Sequence, residues 1–189
     1  MLKNPPYNLL ERCTENDRRA HFELYEYCFE SLYSLARRYY SNDEELKSIV
    51  NDAFLNLVVS LPKLLKSYES ANFFFWMRKI AVNSIIDEFR SRRKYRELIE
   101  LKDHMGEIRH TGDEFDPINE GFELKAIQQI VDSLPAASRT VFNLYAIEGY
   151  KHHEIGSLLN ISPNTSKVHL FLARKQIQQA LTNLNTITT

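Results

Sequence analysis

Residues Gly149 to Ile177 read GYKHHEIGSLLNISPNTSKVHLFLARKQI, an order that two helices joined by a tight turn explain. Ile155, Leu158 and Leu159 recur at helical spacing, and the small Gly156 between them lets a second helix come close. Asn160 stands where the chain must turn through the left-handed region, which asparagine tolerates better than most residues. Ile161 then plugs the core. Ser162-Pro163-Asn164-Thr165 is a helix start: the serine hydroxyl is a cap acceptor, and proline at the first helical position gives up a donor that has no partner there. A helix-turn-helix of this kind sets the first turns of its second helix in the major groove of DNA. On that reading Ser162, Asn164, Thr165, Lys167, Val168 and His169 meet bases or phosphates, and Arg174 and Lys175 grip the backbone. A purely structural helical hairpin is the other reading.

Upstream, Gly149 closes a helix that carries Val141, Phe142, Leu144 and Tyr145, and glycine suits the left-handed closing position. Leu124, Ile127, Val131 and Leu134 form a further helical stripe that ends at Pro135. With helices near His152–Leu159 and Pro163–Leu181, the end of the chain makes a domain of four short helices. Ahead of it, Glu97 to Gly121 carries eight acidic residues against Lys102 and Arg109, with Gly106, Gly112, Pro117 and Gly121 and little periodicity. This composition marks a connector and a domain boundary.

In the first part of the chain, Phe22, Tyr25, Phe29, Leu32, Ala36 and Tyr39 follow helical spacing, and Thr14 with Asp17 resembles a capping pair. Ser41-Asn42-Asp43-Glu44 reads as a capping box opening a second helix to about Leu61, before Pro62. A polar loop from Lys66 to Asn72 leads to a third helix that begins near Phe73 and ends in the basic run RSRRKYR, Arg90 to Arg96. The expected architecture is all-α: a three-helix bundle over residues 1–96, an acidic linker over 97–121 and a helix-turn-helix domain over 122–189.

Composition bounds the function. A chain of 189 residues with 43% hydrophobic residues can build two small cores. A formal net charge of −1 excludes indiscriminate nucleic-acid binding, so any DNA contact must come from local charge. No run approaches the roughly 18 uncharged apolar residues of a membrane span, and Met1 to Leu10 lacks a signal-peptide core, so a cytoplasmic protein without membrane insertion is expected. Cys13 and Cys28 have no metal-ligand spacing and read as inert thiols. His21, His104, His110, His152, His153 and His169 are scattered, and no catalytic triad order, phosphate loop or metal motif appears. No enzyme, cofactor, metal or small-molecule substrate is expected.

Two helical faces are unusual. If the second helix buries Leu46, Ile49, Val50, Ala53, Phe54, Leu57 and Leu61, then Ser48, Asp52, Leu55 and Val59 lie opposite. Either this helix is sandwiched and buried on both sides, or the second face docks a partner. The third helix is apolar nearly all round except for a line of Lys79, Asn83, Asp87, Arg90 and Lys94, bordered by Trp76. Such a line can be a plain solvated face. Asparagine pairs with an adenine edge, however, arginine and lysine hold phosphate or guanine, and an aromatic ring can stack an unpaired base. Of Phe73, Phe74 and Phe75, at most one is assigned to DNA.

Taken together these stretches resemble the sigma-70 family, specifically its small two-domain extracytoplasmic-function members. DEELKSIVNDAFLNL resembles the helix that docks on core RNA polymerase, and FFFWMRKIAVNSIIDEFRSRR the helix that reads the minus-10 element. VDSLPAASRTVFNLYAIEGY resembles the entry to the last domain, and the helix-turn-helix the minus-35 reader. The resemblance implies a polymerase-binding face of Ser48, Asn51, Asp52, Leu55 and Val59. It implies a minus-10 surface of Tyr68, Trp76, Lys79, Asn83, Asp87, Arg90, Arg93 and Lys94, approached by the 66–72 loop. It also implies promoter DNA, core RNA polymerase and an anti-sigma factor as partners. Lys47-Ser48 replaces a common acidic pair, Asn51 a common glutamine and Val58 a common tryptophan. Lys151 replaces a usual Ser or Thr cap, and His169 and Leu172 stand where polar or basic residues are common. An autonomous helix-turn-helix regulator, binding an operator as a dimer, is the alternative.

Overall fold

The computed structural model describes residues 4–68, 72–91 and 124–187, and all regular structure among them is helical. The expected linker at 97–121, together with Arg93 and Lys94, lies outside the described residues. The chain divides into two compact units, Met1–Glu88 and Phe89–Thr189.

The first unit opens with a helix that the spacing did not predict, α1 (Tyr7–Thr14), which buries Leu9, Leu10 and Cys13. The chain turns at Asn16, in the left-handed region at φ 62°. Asp17 then caps α2 (Arg18–Arg37) by accepting the N–H groups of Arg19 and Ala20 at 2.8 and 3.3 Å. Arg12 donates to the other Asp17 oxygen at 2.6 Å, and that hydrogen bond holds the carboxyl below its usual range. Thr14 is no partner of this cap: it ends α1, and its hydroxyl donates to the Glu11 carbonyl. The buried line of α2 is Ala20, Leu24, Cys28, Leu32, Leu35 and Ala36. The stripe expected from Phe22 therefore starts on the wrong side: Phe22 is exposed, Tyr25 and Phe29 are half-buried, and the two lines merge only at Leu32.

The third helix, α3 (Asp43–Leu65), buries every residue expected of it, and Leu64 as well. Its cap is Asn42 rather than Ser41, with the amide oxygen accepting from Glu44 and Glu45 at 2.9 and 3.2 Å. The helix does not stop before Pro62 but runs one turn past it. A proline inside a helix costs about 3 kcal/mol, and burying a leucine returns about 1.5–3 kcal/mol. Burial of Leu64 thus offsets much of the lost backbone bond. By length and composition α3 could cross a membrane, yet its apolar side packs against α1 and α2. The last helix, α4 (Phe73–Ser91), is tied to the others by side chains. The Tyr40 hydroxyl donates to the Ile85 carbonyl at 3.3 Å, and the Asn56 amide donates to Ser84 at 2.9 Å. Both cysteines are free and buried, and burial pushes their thiols up to about 11 for Cys13 and about 12 for Cys28. Neither is a thiolate at neutral pH, as expected of inert thiols.

The second unit comprises α5 (Leu124–Ser133), α6 (Ala136–Phe142), α7 (His152–Leu159) and α8 (Pro163–Ile187). Helix α8, longer than expected, is the spine against which α5, α6 and α7 pack. Ile130 and Val131 of α5, with Leu134 just beyond its end, meet Ala173, Ile177 and Leu181 of α8 in one cluster. After Phe142 the backbone widens into a π-helical turn, Asn143–Ile147, whose end is marked by Glu148 N–H donating to the Asn143 carbonyl at 2.9 Å. Apolar spacing carries no signal for that widening. Gly149 closes the segment at φ 77°, as expected.

Candidate nucleic-acid interface

The helix-turn-helix is built by backbone constraints that the residues meet one by one. Helix α7 begins without a side-chain cap, because Lys151 has no acceptor to offer; instead the Glu154 carboxylate accepts the Lys151 N–H at 2.7 Å. It ends at Asn160, left-handed at φ 51°. The Ile161 N–H then donates to the Gly156 carbonyl at 3.0 Å, closing the turn over the glycine. A Cβ on Gly156 would lie 2.8 Å from the Ile161 oxygen, so this close approach needs glycine. Ser162 caps α8 by accepting the Thr165 N–H at 2.9 Å, and the two hydroxyls bond each other at 2.8 Å. The His152 ring stacks on Tyr145 at 4.6 Å and bonds the buried Ser166 hydroxyl at 2.9 Å, which locks α7 onto α8.

On α8, Asn164, Lys167 and Lys175 are exposed, and Ser162, Thr165 and Arg174 are half-buried at the margin. The Arg174 guanidinium lies 5.7 Å from the centre of the Tyr145 ring. Val168 and His169 are not on this face. Both are buried, His169 completely, with its Nδ1 3.2 Å from the Ser138 hydroxyl. Burial lowers its pKa to about 4, so the ring is neutral at pH 7. The expectation that these two residues read DNA is corrected here: three elements pack on α8, so most of its circumference points inward. Phe171, 42% exposed, joins the outward line instead. Its position four residues after Lys167 and four before Lys175 is the signal that could have found it.

In the first unit, Ser48, Asn51, Asp52, Leu55 and Val59 all face solvent from α3. Leu55 is 60% exposed and Val59 79%, so the sandwiched alternative does not hold for this side of the helix. Asn51 is held by the Tyr25 hydroxyl, which donates to its amide oxygen at 3.1 Å.

Helix α4 sorts its three phenylalanines: Phe73 is buried, Phe74 is half-buried and Phe75 is 71% exposed. Phe75, Lys79, Asn83 and Asp87 form one exposed line at steps of four, while Trp76 and Arg90 are half-buried beside it. Trp76 leans on Phe73, with ring centres 5.9 Å apart. Tyr68 stands apart from this line. Its hydroxyl donates to the Pro5 carbonyl, its ring meets Tyr7 edge-on at 5.7 Å, and burial, with Tyr27 contributing, raises its pKa.

Two helical modules, one of them a helix-turn-helix, define a class of DNA-binding protein, and comparison with known proteins narrows the class to a family. The sigma-70 region 2 family matches residues 24–95, and the sigma-70 region 4 family matches residues 124–177. The chain belongs to the sigma-70 family, within its extracytoplasmic-function (ECF) group. It is 26% identical over 183 residues to the ECF RNA polymerase sigma factor SigW of Bacillus subtilis, covering 93% of this chain and 96% of that one. It is 25% identical over 151 residues to the ECF RNA polymerase sigma factor SigE of Mycolicibacterium smegmatis, 79% of this chain but only 57% of that relative's length. Among solved structures it is similar to the sigma factor RpoE of Bartonella quintana, solved in complex with the anti-sigma factor NepR. That likeness has 18% identity, covers 81% of this chain and 91% of that one, and has a TM-score of 0.47. It is also similar to CnrH, solved with the cytosolic domain of CnrY, at 20% identity and a TM-score of 0.45, covering 94% and 97% of the two chains.

Proposed function

We propose that this chain is the promoter-specificity subunit of a bacterial RNA polymerase, acting in the cytoplasm and catalysing no reaction itself. In this reading residues 1–96 dock on the core enzyme and read minus-10, 97–121 form the linker, and 122–189 read minus-35. The observation that carries it is the outward face of α3. Leu55 and Val59 are exposed on a helix whose other side is fully used in the bundle, and Ser48, Asn51 and Asp52 flank them with polar groups. An apolar pair rimmed by polar side chains suits a protein partner.

The DNA roles follow from chemistry. On α4, Lys79 holds phosphate, Asn83 is able to read an adenine edge, and Phe75 offers a bare ring to an unpaired base, with Trp76, Arg90, Arg93 and Lys94 completing the surface. On α8, Asn164 and Lys167 enter the groove, and Lys175 and Arg174 hold the backbone. The cations are local, four on the α4 surface and three on α8, while the chain as a whole has a net charge of −1. Carried on one polymerase, the two weak contacts combine through effective concentration, which makes the holoenzyme selective while the free protein stays weak on DNA. An anti-sigma factor covering the same faces is the restraining partner.

The test is to mix the protein with bacterial core polymerase, follow the complex by gel filtration, and run transcription on genomic fragments. Wild type forms a complex and yields new transcripts. Asp52→Arg and Val59→Asp lose the complex at least tenfold with an unchanged circular dichroism spectrum. DNA binding by the protein alone, with no polymerase complex, overturns the reading in favour of an autonomous regulator.

A further inference from the structure

Helix α4 does not start on its own residues alone. Locally, the Asn72 amide oxygen accepts the Phe75 N–H at 3.1 Å, and the Asn72 carbonyl accepts the Trp76 N–H at 3.0 Å. The first helical N–H, that of Phe73, is taken from elsewhere: it donates to the side-chain oxygen of Asn4 at 3.2 Å, 69 residues away in sequence. The next residue, Pro5, accepts the Tyr68 hydroxyl, and Tyr7 packs edge-on against the Tyr68 ring. A single short segment, Asn4 to Tyr7, therefore holds both the chain leaving α3 and the first turn of α4.

An unpaired N–H at a helix start needs a partner, and whichever group supplies it fixes where and at what angle the helix begins. The residues placed by that first turn are Phe75 and Trp76, the aromatic end of the exposed α4 line, with Lys79 one turn on. Asn4 itself is exposed, so its cost in lost packing is small and its effect is directional. We infer that the Asn4–Tyr7 segment is a clasp that positions the minus-10 reading surface, with Asn4 and Tyr68 as positioning residues for promoter selectivity. This makes Tyr68 a fastener rather than a base reader: its hydroxyl is already engaged, and its ring is committed to Tyr7.

The inference rests on the reading of α4 as the minus-10 helix, and the experiment separates the two. Full-length protein is assembled with bacterial core polymerase and given a promoter library in which the minus-10 segment is randomised and the minus-35 segment is held fixed. Transcripts are sequenced to give a minus-10 preference profile, and polymerase affinity is measured alongside. Asn4→Ala and Tyr68→Phe are expected to flatten the preference at the best minus-10 positions at least threefold, with polymerase affinity unchanged. Asn4→Asp, which keeps the acceptor, is expected to restore the profile. A profile identical to wild type in both variants overturns the clasp, as does a uniform drop at every minus-10 sequence that tracks a loss of thermal stability. If wild type itself binds polymerase but shows no minus-10 preference, the reading of α4 fails and the clasp with it.

Discussion

Replacing Gly156 by alanine places a methyl group 2.8 Å from the Ile161 carbonyl oxygen and 3.4 Å from the Pro163 nitrogen. The obstacle is backbone, not the end of a flexible side chain, so the turn itself must move by several tenths of an ångström. Overpacking of this kind costs about 1–3 kcal/mol. Alanine recovers up to about 1 kcal/mol through its better helix propensity. A net loss of roughly 1 kcal/mol in the second unit follows. Gly149→Ala is the matched control: no atom lies within 4 Å of the added Cβ, but φ is +77°, which costs a non-glycine residue about 1–2 kcal/mol. The two variants should therefore lose similar stability by different routes, and only Gly156→Ala moves the Ser162 cap and the start of α8. Urea unfolding followed by far-ultraviolet circular dichroism reads the stability loss. The sole tryptophan, Trp76, reports the first unit separately by fluorescence and should not shift. Run-off transcription from promoter pairs that differ only in minus-35 then reads the geometry. Gly156→Ala should lose minus-35 discrimination beyond Gly149→Ala; equal discrimination at equal stability loss would refute the argument.

Lys167→Ala removes one exposed cation from the reading face, so the slope of log affinity against log salt for holoenzyme on promoter DNA should fall by about one; an unchanged slope would take Lys167 off the DNA. His169 makes the opposite kind of prediction. Its folded pKa of about 4 lies below the ordinary 6.5, so the unfolded chain binds the extra proton between those values. Stability is fully present above about pH 6.5 and is lost as pH falls toward 4, by up to about 3 kcal/mol. His169→Leu should flatten this acid dependence in urea titrations and leave minus-35 choice as in wild type. A change in minus-35 choice at neutral pH, with the acid dependence intact, would return His169 to the DNA surface.

Local chemistry made much of this protein legible in its sequence. The buried side of α3, the left-handed Asn160 and Gly149, the Ser162 cap and the need for a small residue at Gly156 each depend on a residue's own conformational range or on periodicity within one helix. The outward direction of Leu55 and Val59 followed once the opposite side of α3 was assigned. What the sequence could not rank was how many neighbours each helix has. Val168 and His169 satisfy the pattern of a DNA-reading helix as well as Asn164 and Lys167 do, and only the packing of three elements onto α8 turns them inward. The same holds for the phase of α2, which depends on both helices packed against it, α1 and α3, and for the passage of α3 through Pro62 toward a buried Leu64. The Asn4 cap on α4 is the extreme case, a hydrogen bond between groups 69 residues apart. Sequence determined the conformations available to each short stretch, because those are governed by sterics and hydrogen bonding within a few residues. The tertiary structure decided which side of each helix meets solvent and which remote group completes it, because both depend on neighbours brought close only by the folded chain.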